Sequence, residues 1–542
     1  MGHSVSSTYE KRIHALSDPD AASSLQKMKR GIEKESLRVT PQGRLSQTRH
    51  PLSLGSTLTH PLITTDYAES LLEFITLPLE TIDGALEQLH KIHSFVYQNL
   101  DDEILWVNSM PCIIEGNESI PIAQYGTSNL GKLKTLYRVG LDHRYGRLMQ
   151  TIAGIHYNLS FPDKFWKTYR PIATAINNSN SETEKNPNEH LQDFISDAYF
   201  NLIRNFQIYS PLLIYLFGAS PAVCASFLKN RKHALDELRP GTTFYKPFAT
   251  SLRMSDLGYQ NDAQSNLHIC YNSVEAYINS ISHAIRTPYP KYEKIGLKEN
   301  GHYKQLSTSI LQIENEYYGS IRPKPIAHAG ERPAISLART GVEYIEIRCI
   351  DLNPFDPLGI DKQQILFLDC FALYCLLESS PLFSQNDYVV LKKNVQTIVM
   401  EGRDPNVTID TSFYTDVDKM EFTDWAGTSL TKIKLAAALL DTANNTNEYT
   451  QSVQQQIRKI HEPEETPSAL ILKKIEETQG SFFDFAMSTA TATEKYFKQQ
   501  KLGHQDQTYF KQLARQSLAD QTNLENENTI DFDQYLNAYL GL

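Results

Sequence analysis

Four short stretches of this chain alternate apolar and polar residues with a period of two, and the polar positions of three of them carry acids. In residues 31–40, Glu33 and Glu35 share a face with Leu37 and Val39. In residues 152–161, Gly154, His156, Asn158 and Ser160 make a polar face opposite Ala153, Ile155, Tyr157 and Leu159. Residues 310–318 alternate Gln312, Glu314, Glu316 and Tyr318 with Leu311, Ile313, Asn315 and Tyr317. Residues 341–350 place Tyr344, Glu346 and Arg348 opposite Glu343, Ile345, Ile347 and Cys349. Strands with an apolar back and a charged front predict an α+β fold: a curved antiparallel sheet, helices packed behind it and a polar cavity in front.

The charged fronts need an explanation. Glu33 and Glu35 on one strand face are roughly 7 Å apart, and at an effective dielectric of ~20 they repel by about 2 kcal/mol. Two readings stand. Both acids face solvent, or a hard divalent cation, Mg²⁺ with Mn²⁺ as a substitute, offsets their charge and bridges substrate phosphates. In residues 64–78, Asp66, Glu69 and Glu73 recur at spacings of three and four; Asp66 with Glu69 reads equally as a helix cap. Glu73 escapes that reading because Phe74, Ile75 and Thr76 favour a strand. His156 beside Asn158 reads as a structural histidine or as part of an oxygen-rich metal site. Arg348 reads as a grip on a phosphoryl group or carboxylate, or as an ion-pair partner of Glu346.

Composition narrows the partners. A formal net charge of −11 argues against nucleic acid or an anionic membrane and leaves small polar substrates. Six cysteines (Cys112, Cys224, Cys270, Cys349, Cys370, Cys375) show no metal spacing and read as buried free thiols of a reducing, cytoplasmic compartment. The first residues lack a signal-peptide core, and Gly2 with Ser6 only formally fits a myristoylation pattern. Residues 210–228 are uncharged over a membrane-span length, but Pro211, Gly218 and Pro221 break them into short buried segments. Asp369 likewise makes residues 365–377 a buried helix. The stretch GTSNLGKL at 126–133 mimics a phosphate-binding loop but ends in Leu133 where a metal-binding hydroxyl belongs; residues 132–146 read as a helix leading into a turn. Residues 177–189 are polar and read as a loop. The organisation expected is a catalytic body over 1–405 and a helical C-terminal portion over 406–542 packed on the same unit.

Taken together and in order, RGIEKESLRV, TTDYAESLLEFIT, QYGTSN, IHYNLS, SLRMSDLGY, LQIENEYY and GVEYIEIR closely resemble the proteobacterial type of glutamate–cysteine ligase, over about residues 28–405. The resemblance implies a glutamine-synthetase-like funnel that binds ATP and Mg²⁺. It implies an activity: joining the γ-carboxylate of L-glutamate to the amine of L-cysteine through a γ-glutamyl phosphate, the first step of glutathione synthesis, without an obligatory protein partner. The family's metal ligands map onto Glu33, Glu35, Asp66, Glu73, His156 and Glu346, and its anion binders and catalytic groups onto Arg253, Arg348 and Glu346. Its substrate pocket maps onto Tyr67, Tyr137, Leu141, Gln150, Asn158, Arg253, Tyr259 and Tyr318. Tyr67 departs from the family's usual Phe. The competing readings are a ligase for another amine, a phosphagen-type kinase of the same fold, and a binding protein that has lost turnover.

Overall fold

The structure, a computed structural model, describes every residue except 1–6, 112, 179–189, 230, 258–261, 266, 327–329 and 542. Gly2, Ser6, Cys112, Tyr259 and most of the 177–189 stretch therefore lie outside the described residues.

The centre is an antiparallel sheet of seven strands: β1 (Lys29–Val39), β2 (Ile63–Thr65), β3 (Leu71–Ile75), β4 (Ile104–Leu105), β5 (Ile155–Ser160), β6 (Ile321–Lys324) and β7 (Tyr344–Ile350). Their spatial order is β6-β7-β5-β1-β3-β2, with β4 paired to the end of β1. Period-two alternation is realised on the three long central strands. Ile32, Ile155, Tyr157, Leu159, Ile345 and Ile347 are all fully buried on the back, so the intervening residues must turn to the front.

The helices that matter for the site are α1 (Ile82–Tyr97), α2 (Asn129–Tyr145), α3 (Leu191–Phe217), α4 (Lys362–Leu377) and α5 (Gln385–Glu401). Among those that follow are α6 (Phe422–Asn444), α7 (Glu448–His461), α8 (Phe482–Gln499), α9 (His504–Asn526) and α10 (Phe532–Leu540). Helix α4 is buried on every side from Gln364 to Leu377, which is why its sequence is apolar all round. No described helix is long and apolar enough to cross a membrane. One continuous core runs from Tyr9 to Phe510 and takes in the helices between Phe422 and Asn526; the residues beyond 405 begin with a small hairpin, Thr408–Asp410 against Lys419–Glu421.

Polar groups lock the back of the sheet to its helices. Asp369 on α4 accepts two hydrogen bonds from Arg30 of β1, at 2.9 and 2.6 Å, and one from the Tyr157 hydroxyl of β5 at 2.7 Å. Lys34, between Glu33 and Glu35 but on the opposite face, places Nζ 2.7 Å from His93 Nε2 on α1. Burial pushes this ammonium down to about 7.

The structure departs from the sequence expectations at several points. Residues 310–318 form no strand; they run through a 3₁₀ turn at Glu314–Glu316, because both acids are taken by arginines, Glu314 by Arg332 at 2.8 Å and Glu316 by Arg144 at 2.9 Å. Asp66 and Glu69 cap no helix but shape the β2–β3 turn, where the Glu69 carboxylate accepts the backbone N–H of His50 at 3.0 Å and of Gln124 at 2.9 Å. Pro211 sits inside α3 without ending it, and the chain turns only at Gly218. Cys224 is disulfide-bonded, so the expectation of free thiols fails there; Cys270, Cys349, Cys370 and Cys375 are free.

Asp369→Ala leaves the Arg30 guanidinium buried without its partner, a change that costs about 3–5 kcal/mol. The expected result is a markedly lower urea midpoint with an unchanged slope, measured by far-UV circular dichroism; an unchanged midpoint sinks the assignment of this network as the sheet's anchor.

Candidate active site

Strand register builds the site. Glu33 of β1 stands opposite His156 of β5, Glu35 opposite Glu73 of β3, and Glu346 of β7 opposite Asn158 of β5. Directly opposed side chains on one face lie roughly 5 Å apart, so four neighbouring strands deliver four carboxylates and an imidazole to one spot. His156 Nδ1 is 3.0 Å from Glu33 and 3.7 Å from Glu346, and its Nε2 is 3.9 Å from Glu35. Asn158 donates to Glu33 at 3.0 Å. Glu33, Glu73 and His156 each offer a ligand atom within 4.8 Å of one another.

The electrostatics show where positive charge is short and where it is supplied. Burial, with Glu33, Asp66 and Glu35 close by, pushes the Glu73 carboxyl well above the ordinary range. Burial and Asp66 raise Glu35. On the other side of the cluster burial opposes ionisation of Glu346, but Lys324, Arg348 and His156 hold it well below the ordinary range. Glu33 is also lowered: burial opposes the charge and the hydrogen bond with His156 overcomes it. Two oxygens of the cluster, Glu346 Oε2 and Asn158 Oδ1, are buried without a hydrogen-bond partner. A buried, unpaired carboxylate oxygen is expensive, and an oxygen-rich donor set with spare lone pairs fits a hard divalent cation.

Cations line the β6–β7 side. Arg348 Nη1 lies 3.3 Å and Lys324 Nζ 3.5 Å from Glu346 Oε1. Arg253, 2% exposed, donates to the Arg348 carbonyl at 2.9 Å and sits 3.7 Å from Asp351. Asp351 is itself fixed by the Ala219 N–H and by the Ser220 and Ser251 hydroxyls at 2.8, 2.6 and 3.0 Å. Gly154 is required beside this guanidinium, since a Cβ there would lie 2.0 Å from Arg253 Nη2.

In front of the cluster opens a cavity of about 830 Å³. Glu35, Asp66, His156, Arg253 and Arg348 reach it, and its walls include Tyr67, Tyr137, Arg138, Leu141, Gln150 and Tyr318. The sequence-predicted residues thus fall into two groups. Glu33, Glu73, Glu346 and Asn158 gather in the acid cluster, while Tyr67, Tyr137, Leu141, Gln150 and Tyr318 form the aromatic and amide wall. Tyr259 lies outside the described residues. The Tyr67 hydroxyl is buried without a hydrogen-bond partner.

Sequence reasoning missed Lys324, Arg322, Arg138 and Asp351. Arg322 and Lys324 alternate on β6 with the register Arg322↔Glu346 and Lys324↔Tyr344, and the same period-two test applied to IRPK finds them. Arg138 lies one helical turn beyond Lys134 on α2, with its guanidinium 4.5 Å from the Tyr125 ring; Asp351 gives no local signal, because its partners come from residues 219–253.

Comparison with known proteins agrees with this geometry. The family model described as glutamate-cysteine ligase matches residues 13–398. A glutamate–cysteine ligase of Alcanivorax borkumensis is 50% identical over 98% of this chain and 99% of its own length; that of Saccharophagus degradans is 45% identical over 97% of both chains. The crystal structure of a glutamate–cysteine ligase from Francisella tularensis in complex with AMP superposes with a TM-score of 0.86, at 35% identity, covering 95% of this chain and 98% of that one. The chain belongs to the glutamate–cysteine ligase family.

Proposed function

We propose that this chain catalyses the ATP-dependent joining of the L-glutamate γ-carboxylate to the L-cysteine amine. A γ-glutamyl phosphate is the intermediate, and γ-glutamylcysteine, ADP and phosphate are the products, as the first step of glutathione biosynthesis in the cytoplasm. The observation that carries the reading is the juxtaposition, on one sheet face, of a crowded carboxylate cluster with spare buried oxygens and a row of fixed cations.

Glu33, Glu35, Asp66, Glu73, His156 and Glu346 are assigned to hold Mg²⁺. Bound there, Mg²⁺ supplies the charge that lets these acids coexist and neutralises the ATP phosphates. The glutamate carboxylate attacks the γ-phosphorus, and negative charge builds on the phosphoryl oxygens. Arg348, Lys324 and Arg322 are assigned to offset that charge; the strands already hold them, so no reorganisation is needed at the moment of reaction. Burial works against the Arg348 charge, but Glu346 keeps its affinity for the proton above even the usual guanidinium range. Arg253, braced by Asp351 and the Arg348 carbonyl, is placed to grip a substrate carboxylate in bidentate fashion. The cysteine amine then attacks the acyl phosphate and expels phosphate; Tyr67, Tyr137, Leu141 and Tyr318 line the cavity and are assigned to exclude water from a hydrolysable intermediate.

The direct test measures ADP release with ATP, Mg²⁺ and L-glutamate, with L-cysteine, L-alanine or ammonia added, and identifies the product by mass. Cysteine-dependent turnover yielding γ-glutamylcysteine is expected; turnover with ammonia alone overturns the acceptor assignment.

Glu73→Gln separates metal binding from folding. A carboxyl whose affinity for protons is raised in the folded state keeps a proton that the unfolded chain releases, so metal-free stability falls as pH climbs above the ordinary carboxylate range. The glutamine variant is expected to flatten that fall, raise the metal-free Tm, and lose the further rise in Tm that Mg²⁺ gives the parent protein. Glu346→Gln is expected to lower kcat by at least about a hundredfold with little change in Tm; a variant that turns over normally per folded molecule removes Glu346 from the machinery.

Tyr67→Phe deletes a hydroxyl with no partner in the protein. It should leave Tm unchanged or slightly higher, and a change confined to the cysteine KM in steady-state assays marks that hydroxyl as a substrate contact.

A further inference from the structure

Helix α2 lines the cavity and is held on two sides: Leu141 belongs to the main core, with Tyr137 and Tyr145 packed against it. Tyr137, Arg138 and Leu141 face the cavity. The other side of α2 buries Leu133 and Leu136 in a separate small core with Leu306, Ile313 and Leu536, the last of these from α10. Gln312 is wedged between them: its Nε2 donates to the Tyr137 carbonyl at 3.2 Å, and its Oε1 accepts the Leu306 N–H at 2.9 Å. Asp533 of α10 clasps the same segment from outside, accepting from Lys298 at 2.7 Å and Tyr303 at 2.9 Å.

The start of α2 is tied to the C-terminal residues as well. Glu525 at the end of α9 accepts the Thr127 N–H at 2.8 Å. Asn528 accepts the Asn129 N–H at 3.0 Å, and Asn129 donates to the Ile530 carbonyl at 2.9 Å. This explains the false phosphate loop. Gly126, at φ +78°, is needed because a Cβ there would lie 2.1 Å from Gln521 and 2.2 Å from Glu525, and a Cβ on Gly131 would lie 2.2 Å from the Tyr125 carbonyl. The N–H groups at and just before the start of the helix are taken by the chain's own Ser128, Asn528 and Glu525. All of these C-terminal contacts come from beyond residue 398, where the family match ends.

We infer that residues 521–540 act as a positioning clasp that fixes helix α2, and through Tyr137 and Leu141 sets the fit of the acceptor amino acid. The inference rests on the acceptor assignment above. Leu536 and Glu525 are positioning residues. Neither lines the cavity, and each acts only through α2. The face of α2 that carries Leu133 and Leu136 rests on a five-residue satellite core and loosens when one member is lost, whereas the acid cluster, anchored by Asp369, does not. Loss of the clasp therefore acts on one substrate and not on the nucleotide.

The test compares Leu536→Asp, its conservative counterpart Leu536→Met, and Glu525→Ala in the full-length protein. Two readouts are used, amide hydrogen exchange and steady-state kinetics with ATP, L-glutamate and L-cysteine. Expected for Leu536→Asp is at least about tenfold faster exchange in residues 129–145, with residues 29–39 and 155–160 unchanged. The cysteine KM should rise about tenfold while kcat and the ATP KM stay within about twofold, and Leu536→Met should restore both readouts. Glu525→Ala, which keeps the small core intact, should loosen the first turn of α2 and shift the cysteine KM in the same direction. Unchanged exchange over 129–145 in both variants overturns the proposal. So does a general rise in exchange with equal loss of kcat, which marks plain unfolding. If exchange responds as expected but the parent protein shows no cysteine-dependent turnover, the clasp stands and the acceptor assignment falls.

Discussion

Asp369 is the point on which the central sheet turns. One buried carboxylate takes the guanidinium of β1 and the hydroxyl of β5, and these two strands carry Glu33, Glu35, His156 and Asn158 on the opposite face. Because side chains alternate across a strand, fixing Arg30 and Tyr157 behind the sheet fixes the rotation of their neighbours in front. A slip of one residue in either strand would carry an acid into the apolar core and Asp369 out of reach of its partners. The site's precision is thus set from behind by groups that never meet a substrate.

That arrangement has a cost, and it is concentrated in front. Glu73 and Glu35 are driven toward the protonated form by burial and by their acidic neighbours, while Glu33 and Glu346 keep their charge only through His156, Lys324 and Arg348. The face is built for more positive charge than the chain itself supplies. A cation bound there, as proposed, would relieve that repulsion, so metal affinity and folding free energy would be drawn from the same source.

Much of this was legible in residue order. The period-two pattern located β1, β5 and β7 and assigned their faces, since a half-buried strand leaves the same signature whatever packs behind it. The pattern failed at residues 310–318, where the acids alternate as in a strand but Arg144 and Arg332, distant in sequence, bind Glu316 and Glu314 and fold the segment into a turn. Likewise Asp66 with Glu69 imitates a helix cap, because an acid that accepts backbone N–H groups reads the same in sequence when those groups come from afar, as those of His50 and Gln124 do for Glu69. Tyr67, Tyr137 and Tyr318 entered only through resemblance to a family; nothing in a lone tyrosine reports that it faces a cavity. The bonding of Cys224 and the orienting role of Asp351 depend on long-range contacts that no local pattern carries.

The residues of the acid cluster run from Glu33 to Glu346, the carboxylate that holds their strands together is residue 369, and the wall facing them is pinned by Leu536. A chain emerging from the ribosome presents these parts in that order, at ~5–20 residues per second. No nascent fragment that stops short of residue 536 has all of them. A nascent chain that has not yet reached residue 536 therefore holds the crowded set of acids while α2 still lacks one of its packing partners.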